Sequence, residues 1–351
     1  MKKYKHFLSL FLFSACFLAG TAQENNKRAS GILSKKLDEY LLSVANAWRF
    51  NGDVLIAQKG KIILNKGYGY KNAAANEKYD GKGIFQIGSI TKSFTAEVIL
   101  KLQEEGRLAV SDKLSKYFPG YPHADEITIE NLLTHTSGIA GYDVEETDTV
   151  AWAPVSKDVL MDLFKNQPLA FTPGTKYSYS NSNYFLLGMI IEKVTGKPYE
   201  QAVREQIFEP LQMSNSGFDF IHLHNTLKVT GYAELSKEKQ RPVHLIDSTV
   251  SYAAGAIYSS VNDLYTWVRS IAGHKILSAD LWKKALTPYR SNYGYGFMID
   301  SLSGKNYIGH SGGIMGFTSY VIYFPEEEVT IILLNNYFNK PASLLNLLSD
   351  G

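Results

Sequence analysis

Strand-like segments stand at both ends of this 351-residue chain and helical ones fill its middle. Near the start, 53–57 and 61–70 read as two strands around a Lys59-Gly60 turn. Near the end, 293–299, 307–310, 316–324 and 329–334 read the same way. Apolar residues recur at helical spacing in 32–48, 91–105 (closed by Gly106), 129–134, 157–165, 184–195 and 261–272. Segment 342–348 reads as a last helix and the acidic 143–148 as a solvated loop. Strands must bury a shared face. The pattern therefore predicts an α+β fold whose sheet is built from both ends of the chain, with a mainly helical lobe inserted.

Charge excludes one class of partner. The 36 basic and 34 acidic residues nearly cancel, and removing Lys2, Lys3 and Lys5 leaves 33 against 34. Such a chain has no electrostatic footprint for nucleic acid. Those lysines open a stretch with its own logic. A basic start is followed by an apolar run over 7–20 and then Thr21-Ala22-Gln23, the layout of a secretory signal, 1–23, cleaved near Ala22 or Gln23. The run is about 14 residues, short of the roughly 20 that span a bilayer, so no stable membrane insertion is expected after cleavage. Lipidation of Cys16, after Phe13-Ser14-Ala15, is the weaker alternative. Cys16 is the one cysteine, so an internal disulfide is impossible and no CxxC metal or redox spacing occurs. The eight histidines show no metal-binding spacing either, and neither a metal nor an organic cofactor is expected.

The candidate chemistry starts at Gly88-Ser89-Ile90-Thr91-Lys92, after strand-like 84–87 and at the head of a helix. Three residues apart on a helix, Ser89 and Lys92 share a face. A serine needs a base, and a desolvated lysine can be one. Ser-x-x-K alone is weak evidence: an N-cap serine satisfies it, and Ser236–Lys239 repeats it in a charged stretch read as surface. Tyr179-x-Asn181 places a phenol and an amide on one loop, where the phenol near an ammonium can ionise more easily and relay a proton. The amide can hold a substrate carbonyl, although a turn with a helix cap gives the same tripeptide. In Tyr307-Ile308-Gly309-His310-Ser311-Gly312-Gly313, glycines beside a strand admit a substrate to the backbone, and an N–H there can join that of Ser89 in an oxyanion hole.

In the order Ser-x-x-Lys, Tyr-x-Asn, His-Ser-Gly, these elements resemble the serine β-lactamase and penicillin-binding-protein superfamily. The branch resembled holds class C β-lactamases, D-aminopeptidases, DD-peptidases and related esterases. Leu133-Thr134-His135-Thr136-Ser137-Gly138, 171–174, 208–213, Ala254-Gly255 and Tyr293-Gly294-Tyr295-Gly296 extend the likeness over about 52–335. The resemblance implies a β-lactamase-like antiparallel sheet flanked by helices within a domain over 24–351. Its sheet lobe would cover about 30–95 and 250–351, and its helical lobe about 96–249. It also implies Ser89 as the acylated nucleophile, Lys92 as base or its partner, and Tyr179 as activator of Ser89 and proton donor to the leaving group. Ser89 and Gly313 N–H groups would form the oxyanion hole, and Asn181, His310, Ser311 and Gly312 would contact substrate.

Many β-lactamases of this superfamily carry Lys-Thr-Gly where this chain has His310-Ser311-Gly312. A histidine is mostly neutral at pH 7 and holds a carboxylate less well than lysine does. The expectation is an exported serine hydrolase, periplasmic or extracellular, taking small-molecule or peptide acyl substrates, esters or amides that include D-amino-acid ones. The alternatives are a true β-lactamase, an acyltransferase using the same acyl-enzyme, and a non-catalytic peptidoglycan-binding receptor.

Overall fold

The computed structural model describes residues 23–142 and 152–337. Helix α1 (Gln23–Asn46) enters the sheet, whose strands are β1 (Gly52–Gln58), β2 (Lys61–Tyr68), β3 (Met298–Leu302), β4 (Lys305–Ile314), β5 (Phe317–Phe324) and β6 (Val329–Asn335). The order is β2-β1-β6-β5-β4-β3, and every pairing is antiparallel. The two chain ends meet in the middle, where β1 pairs with β6 from Gly52↔Asn335 to Gln58↔Val329. The fold is thus α+β with a sheet drawn from both ends, as the sequence pattern predicts.

Alternation along the strands sorts the two faces. Val54 and Ile56 of β1, with Tyr320 and Ile322 of β5, face Leu33, Leu37, Leu41 and Val44 of α1. Leu55, Val321, Ile332 and Leu334 face the larger core on the other side. That core holds α2 (Thr91–Glu104), α3 (Asn181–Thr195), α4 (Ser248–Gly255) and α5 (Val261–Ala272). Residues 91–100 of α2 are all buried, so this helix is enclosed by protein on every side. Local sequence explains the ends of the others. The Ser260 hydroxyl accepts from the Asp263 N–H to cap α5, and Thr128 and Asn131 form a capping box on the short helix Ile129–Leu133.

Two expectations shift. The segment 293–299 is a strand only from Met298, and Tyr293 to Phe297 form a tight bend in which Gly296, at φ +76°, presses on the Lys92 carbonyl. The strand-like 84–87 narrows to Phe85–Gln86, paired with Tyr258–Ser259. The second Ser-x-x-K lies on the turn between the short strands Tyr232–Leu235 and Gln240–Pro242, with Lys237 and Lys239 exposed. The segments 1–22, 143–148 and 342–348, read above as signal, acidic loop and helix, fall outside the described residues.

One buried charge in the sheet has a measurable consequence. The Asp53 carboxylate accepts the Gly83 N–H at 2.6 Å, and its other oxygen has no partner among the described residues. Burial pushes this carboxyl up to about 7, opposed by the Gly83 hydrogen bond and reinforced by Asp80. The folded protein therefore keeps a proton that the unfolded chain has released, and stability falls as pH rises from about 4 to about 7. Asp53→Asn should stabilise the protein by about 2 kcal/mol more at pH 8 than at pH 5, read from denaturant midpoints at both pH values.

Candidate active site

Ser89 sits in a single 3₁₀ turn (Gly88–Ile90) that leads directly into α2. Gly88 takes φ +51°, and a Cβ there would lie 2.8 Å from the Gly313 carbonyl oxygen. Only glycine lets the turn lie so close to β4. The same closeness explains Gly312, where a Cβ would meet the Ile87 carbonyl oxygen at 1.9 Å. The Ser319 hydroxyl ties the strands to this turn by donating to the Ile87 carbonyl at 2.8 Å.

Lys92 follows one helical turn later, with none of its surface exposed. Its Nζ lies 3.1 Å from Ser89 Oγ, 2.9 Å from Asn181 Oδ1 and 2.8 Å from the Ala254 carbonyl oxygen. Burial holds this amine well below the usual lysine value. A neutral amine has two N–H groups and one lone pair. Asn181 Oδ1 and the Ala254 carbonyl can only accept, so they take both hydrogens. The lone pair is left for the Ser89 O–H. The three contacts thus orient a base toward a hydroxyl.

The carbonyl of Ala254 is available because α4 is broken. Tyr252 adopts φ 38°, ψ −134°, far from helical values, and the carbonyls beyond it turn toward α2. The Ala253 carbonyl accepts from Thr95 Oγ1 at 2.7 Å, and the Ile257 N–H donates to Thr91 Oγ1 at 3.1 Å. Thr91, Lys92 and Thr95, one turn of α2, thereby bind the backbone of 253–257.

Tyr179 stands on the loop before α3. Lys92 Nζ is 4.8 Å from the centre of its ring, and its hydroxyl lies close enough to Ser89 for the serine to favour its ionised form. Burial raises this phenol above its ordinary value, while Ser89 pulls the other way. The residue is 41% exposed, so solvent tempers the shift without reversing its direction. The direction opposes the easier ionisation expected of a phenol beside an ammonium, because the lysine is itself desolvated. His135 holds the loop. Its Nδ1 accepts the Ser180 N–H at 3.1 Å, and its ring centre lies 4.3 Å from that of Tyr179. Burial first, then Lys92 and His310, keep His135 neutral.

His310 is also neutral. Its Nδ1 lies 2.6 Å from the Ser311 carbonyl, which can only accept, so the proton is on Nδ1. Its Nε2 then accepts from the Tyr293 hydroxyl at 2.9 Å. Burial and the neighbouring Lys92 lower this imidazole to about 3, against the opposing bond to Ser311.

Ser89, Tyr179, His310, Ser311 and Gly313 line one cleft of about 390 Å³. The residues singled out in the sequence therefore converge, with two differences of place. Gly312 is buried behind the cleft against Ile87, and Asn181 meets Lys92 rather than the cleft wall. Sequence reasoning assigned no role to His135, Tyr293 or Ala254. All three lay in segments already noted for resemblance. A backbone carbonyl such as that of Ala254 leaves no signal in any sequence.

Residues 43–347 match the family model described as Beta-lactamase. Over 308 residues the chain is 32% identical to PbpX of Bacillus subtilis, covering 88% of this chain and 75% of that protein. Across the first curated relatives it spans 59% to 75% of their length. Among solved structures it is similar to the octameric penicillin-binding protein homologue of Pyrococcus abyssi, with TM-score 0.78 and 30% identity over 90% of this chain and 77% of that one. It is also similar to a D-stereospecific amidohydrolase from Streptomyces sp., with TM-score 0.74 and 28% identity over 87% and 95% of the two chains. With its fold and most of its length matched, the chain belongs to the beta-lactamase family and is a serine hydrolase of that family.

Proposed function

We propose that this protein hydrolyses esters or amides, D-amino-acid derivatives among them, through an acyl-enzyme on Ser89, and that it works after export as a periplasmic or extracellular enzyme. The observation that carries the reading is the fully buried Lys92, its Nζ 3.1 Å from Ser89 Oγ and its other two partners able only to accept, with burial lowering its pKa.

Lys92 takes the Ser89 proton as Oγ attacks the substrate carbonyl. The negative charge that develops on the carbonyl oxygen is met by the backbone N–H groups of Ser89 and Gly313, which flank the cleft. Tyr179, neutral and beside Ser89, donates a proton to the leaving group as the tetrahedral intermediate collapses, and the proton that Lys92 took from Ser89 restores the phenol and leaves the amine neutral again. Water then attacks the acyl-enzyme by the reverse route. His310 holds the Tyr293 side of the cleft without charge, so a carboxylate finds no cation there. This favours neutral esters and amides over penicillins. The amidohydrolase likeness supports the D-amino-acid class, and the signal-like 1–23 supports export.

Incubation of the protein with a short-chain ester, a D-alanyl ester and a penicillin, followed by intact-mass spectrometry, tests the acyl-enzyme. A one-acyl mass gain from the ester substrates, absent in Ser89→Ala, is the expected result, and rapid penicillin turnover would restore the β-lactamase reading. Lys92→Met should slow acylation by about 10²–10⁴-fold. Because only neutral Lys92 serves as base, the acylation rate rises with pH until the amine is deprotonated. Its lowered pKa puts the plateau below the pH at which an ordinary lysine, near 10.4, would level off. A rate still climbing tenfold per unit from pH 8 to 10 would remove Lys92 from this role. In proton NMR, the C2–H resonance missing from the spectrum of His310→Gln should stay at its neutral position from pH 8 to pH 5. A midpoint near 6.5 would refute the neutral histidine.

A further inference from the structure

The cleft is unbalanced in charge. Among the described residues that line it, the formally charged side chain is a carboxylate, Asp300. Lys92 is not part of that wall: it is fully buried and has its contacts taken up by Ser89, Asn181 and Ala254. The rest of the wall is hydroxyl, amide, thioether and ring. Tyr177 and Tyr293 lie 5.9 Å apart between centroids, and Tyr179 stands edge-to-face on Tyr293 at 6.3 Å. Such π faces attract cations.

Asp300 owes its place to the short strand β3, which pairs with β4 only from Lys305↔Leu302 to Gly309↔Met298. The far half of β4, with Ser311 and Gly313, is left open on that side and lines the cleft. Met298 fixes the distance, since its sulfur lies 3.9 Å from Ser311 Oγ. Met298 stands where the open edge begins, and Asp300 is two residues further into β3, roughly 7 Å along the strand and opposite Tyr307, on the same face as Met298 and exposed at the rim of the cleft. One carboxylate oxygen accepts the Ser301 N–H at 2.8 Å, and no ion pair is made with a described residue.

We infer that Asp300 selects substrates bearing an ammonium group and disfavours those bearing a carboxylate. This rests on the Ser89 reading for the reaction but not for binding, and the two are tested separately. Binding is measured by calorimetry in Ser89→Ala protein, with benzyltrimethylammonium, benzyl alcohol and phenylacetate as probes. The cation should bind about fivefold or more tighter than the alcohol, and phenylacetate weakest of the three. The preference should shrink as salt is raised. Adding Asp300→Asn, which keeps an acceptor for the Ser301 N–H, should bring cation and alcohol together, and Asp300→Lys should place phenylacetate first. An unchanged order of the three probes in both variants overturns the inference, as does equal binding in the parent. In a separate arm, the protein with Ser89 intact is given acetylthiocholine and its neutral isostere, 3,3-dimethylbutyl thioacetate. Hydrolysis that persists in Ser89→Ala defeats the nucleophile reading and leaves the binding result standing. Hydrolysis that depends on Ser89 and falls about fivefold in the cation-to-neutral ratio of kcat/KM with Asp300→Asn supports both.

Discussion

Everything at the site follows from keeping one lysine amine out of water. Lys92 is enclosed by α2, α3 and the broken helix α4, and its contacts are neutral oxygens rather than a carboxylate. A carboxylate partner would have stabilised the ammonium and left no lone pair. Neutral acceptors satisfy the hydrogens without compensating the charge, so the desolvation that would be a defect elsewhere becomes the source of basicity. The same lysine bears on its neighbours. The burial it shares holds His135 and His310 in their uncharged forms, and its Nζ lies under the ring of Tyr179. The result is a polar site with little formal charge in its interior, in which protons can move between groups of similar neutrality.

Holding that lysine is a task shared by distant parts of the chain. The strap from 253–257 binds one turn of α2 through Thr91, Lys92 and Thr95. From the other side, the His135 segment clamps the loop before α3: Ser137 Oγ donates to Asn183 Oδ1 at 2.6 Å, and Ser182 Oγ donates to the Ala140 carbonyl at 2.6 Å. Asn181 begins α3 inside this clamp, and its carbonyl oxygen is thereby aimed at Lys92. The strain at Tyr252 is sustained by dense packing, for a Cβ on Gly188 of α3 would stand 2.6 Å from the Tyr252 ring. Conformations of this kind persist only where their surroundings over-determine them.

Much of this was legible in the sequence. Period-2 and period-3.6 patterns located the strands of the sheet and most long helices, because burial of one face leaves a direct trace. The Ser-x-x-Lys, Tyr-x-Asn and His-Ser-Gly elements were found because side-chain chemistry is written in residue types. What stayed hidden depends on the backbone or on long-range closeness. The bend at 293–297 was mistaken for strand, since its tyrosines alternate with glycines as strand residues do. The broken helix at Tyr252 has no glycine to announce it. The raised phenol of Tyr179 and the low imidazole of His310 come from burial, which no tripeptide records. The order of motifs showed that the parts were present, while only the folded chain shows Asn181 serving Lys92 and Asp300 at the rim.

The pairing of β1 with β6 bears on when the site comes into being. Partners 52 and 335 lie almost the whole described chain apart, and β6 joins the two halves of the sheet. Closing so long a loop is entropically slow and is rewarded only when both halves are present. Gly312 and Gly313, which press on the Ser89 turn, belong to the half that arrives late. A nascent chain already carrying Ser89, Lys92, Tyr179 and Asn181 would have one side of the cleft but not its far wall. In this architecture the cleft closes only once the strands β3 to β6 have been made and paired, so the two halves of the site come together late.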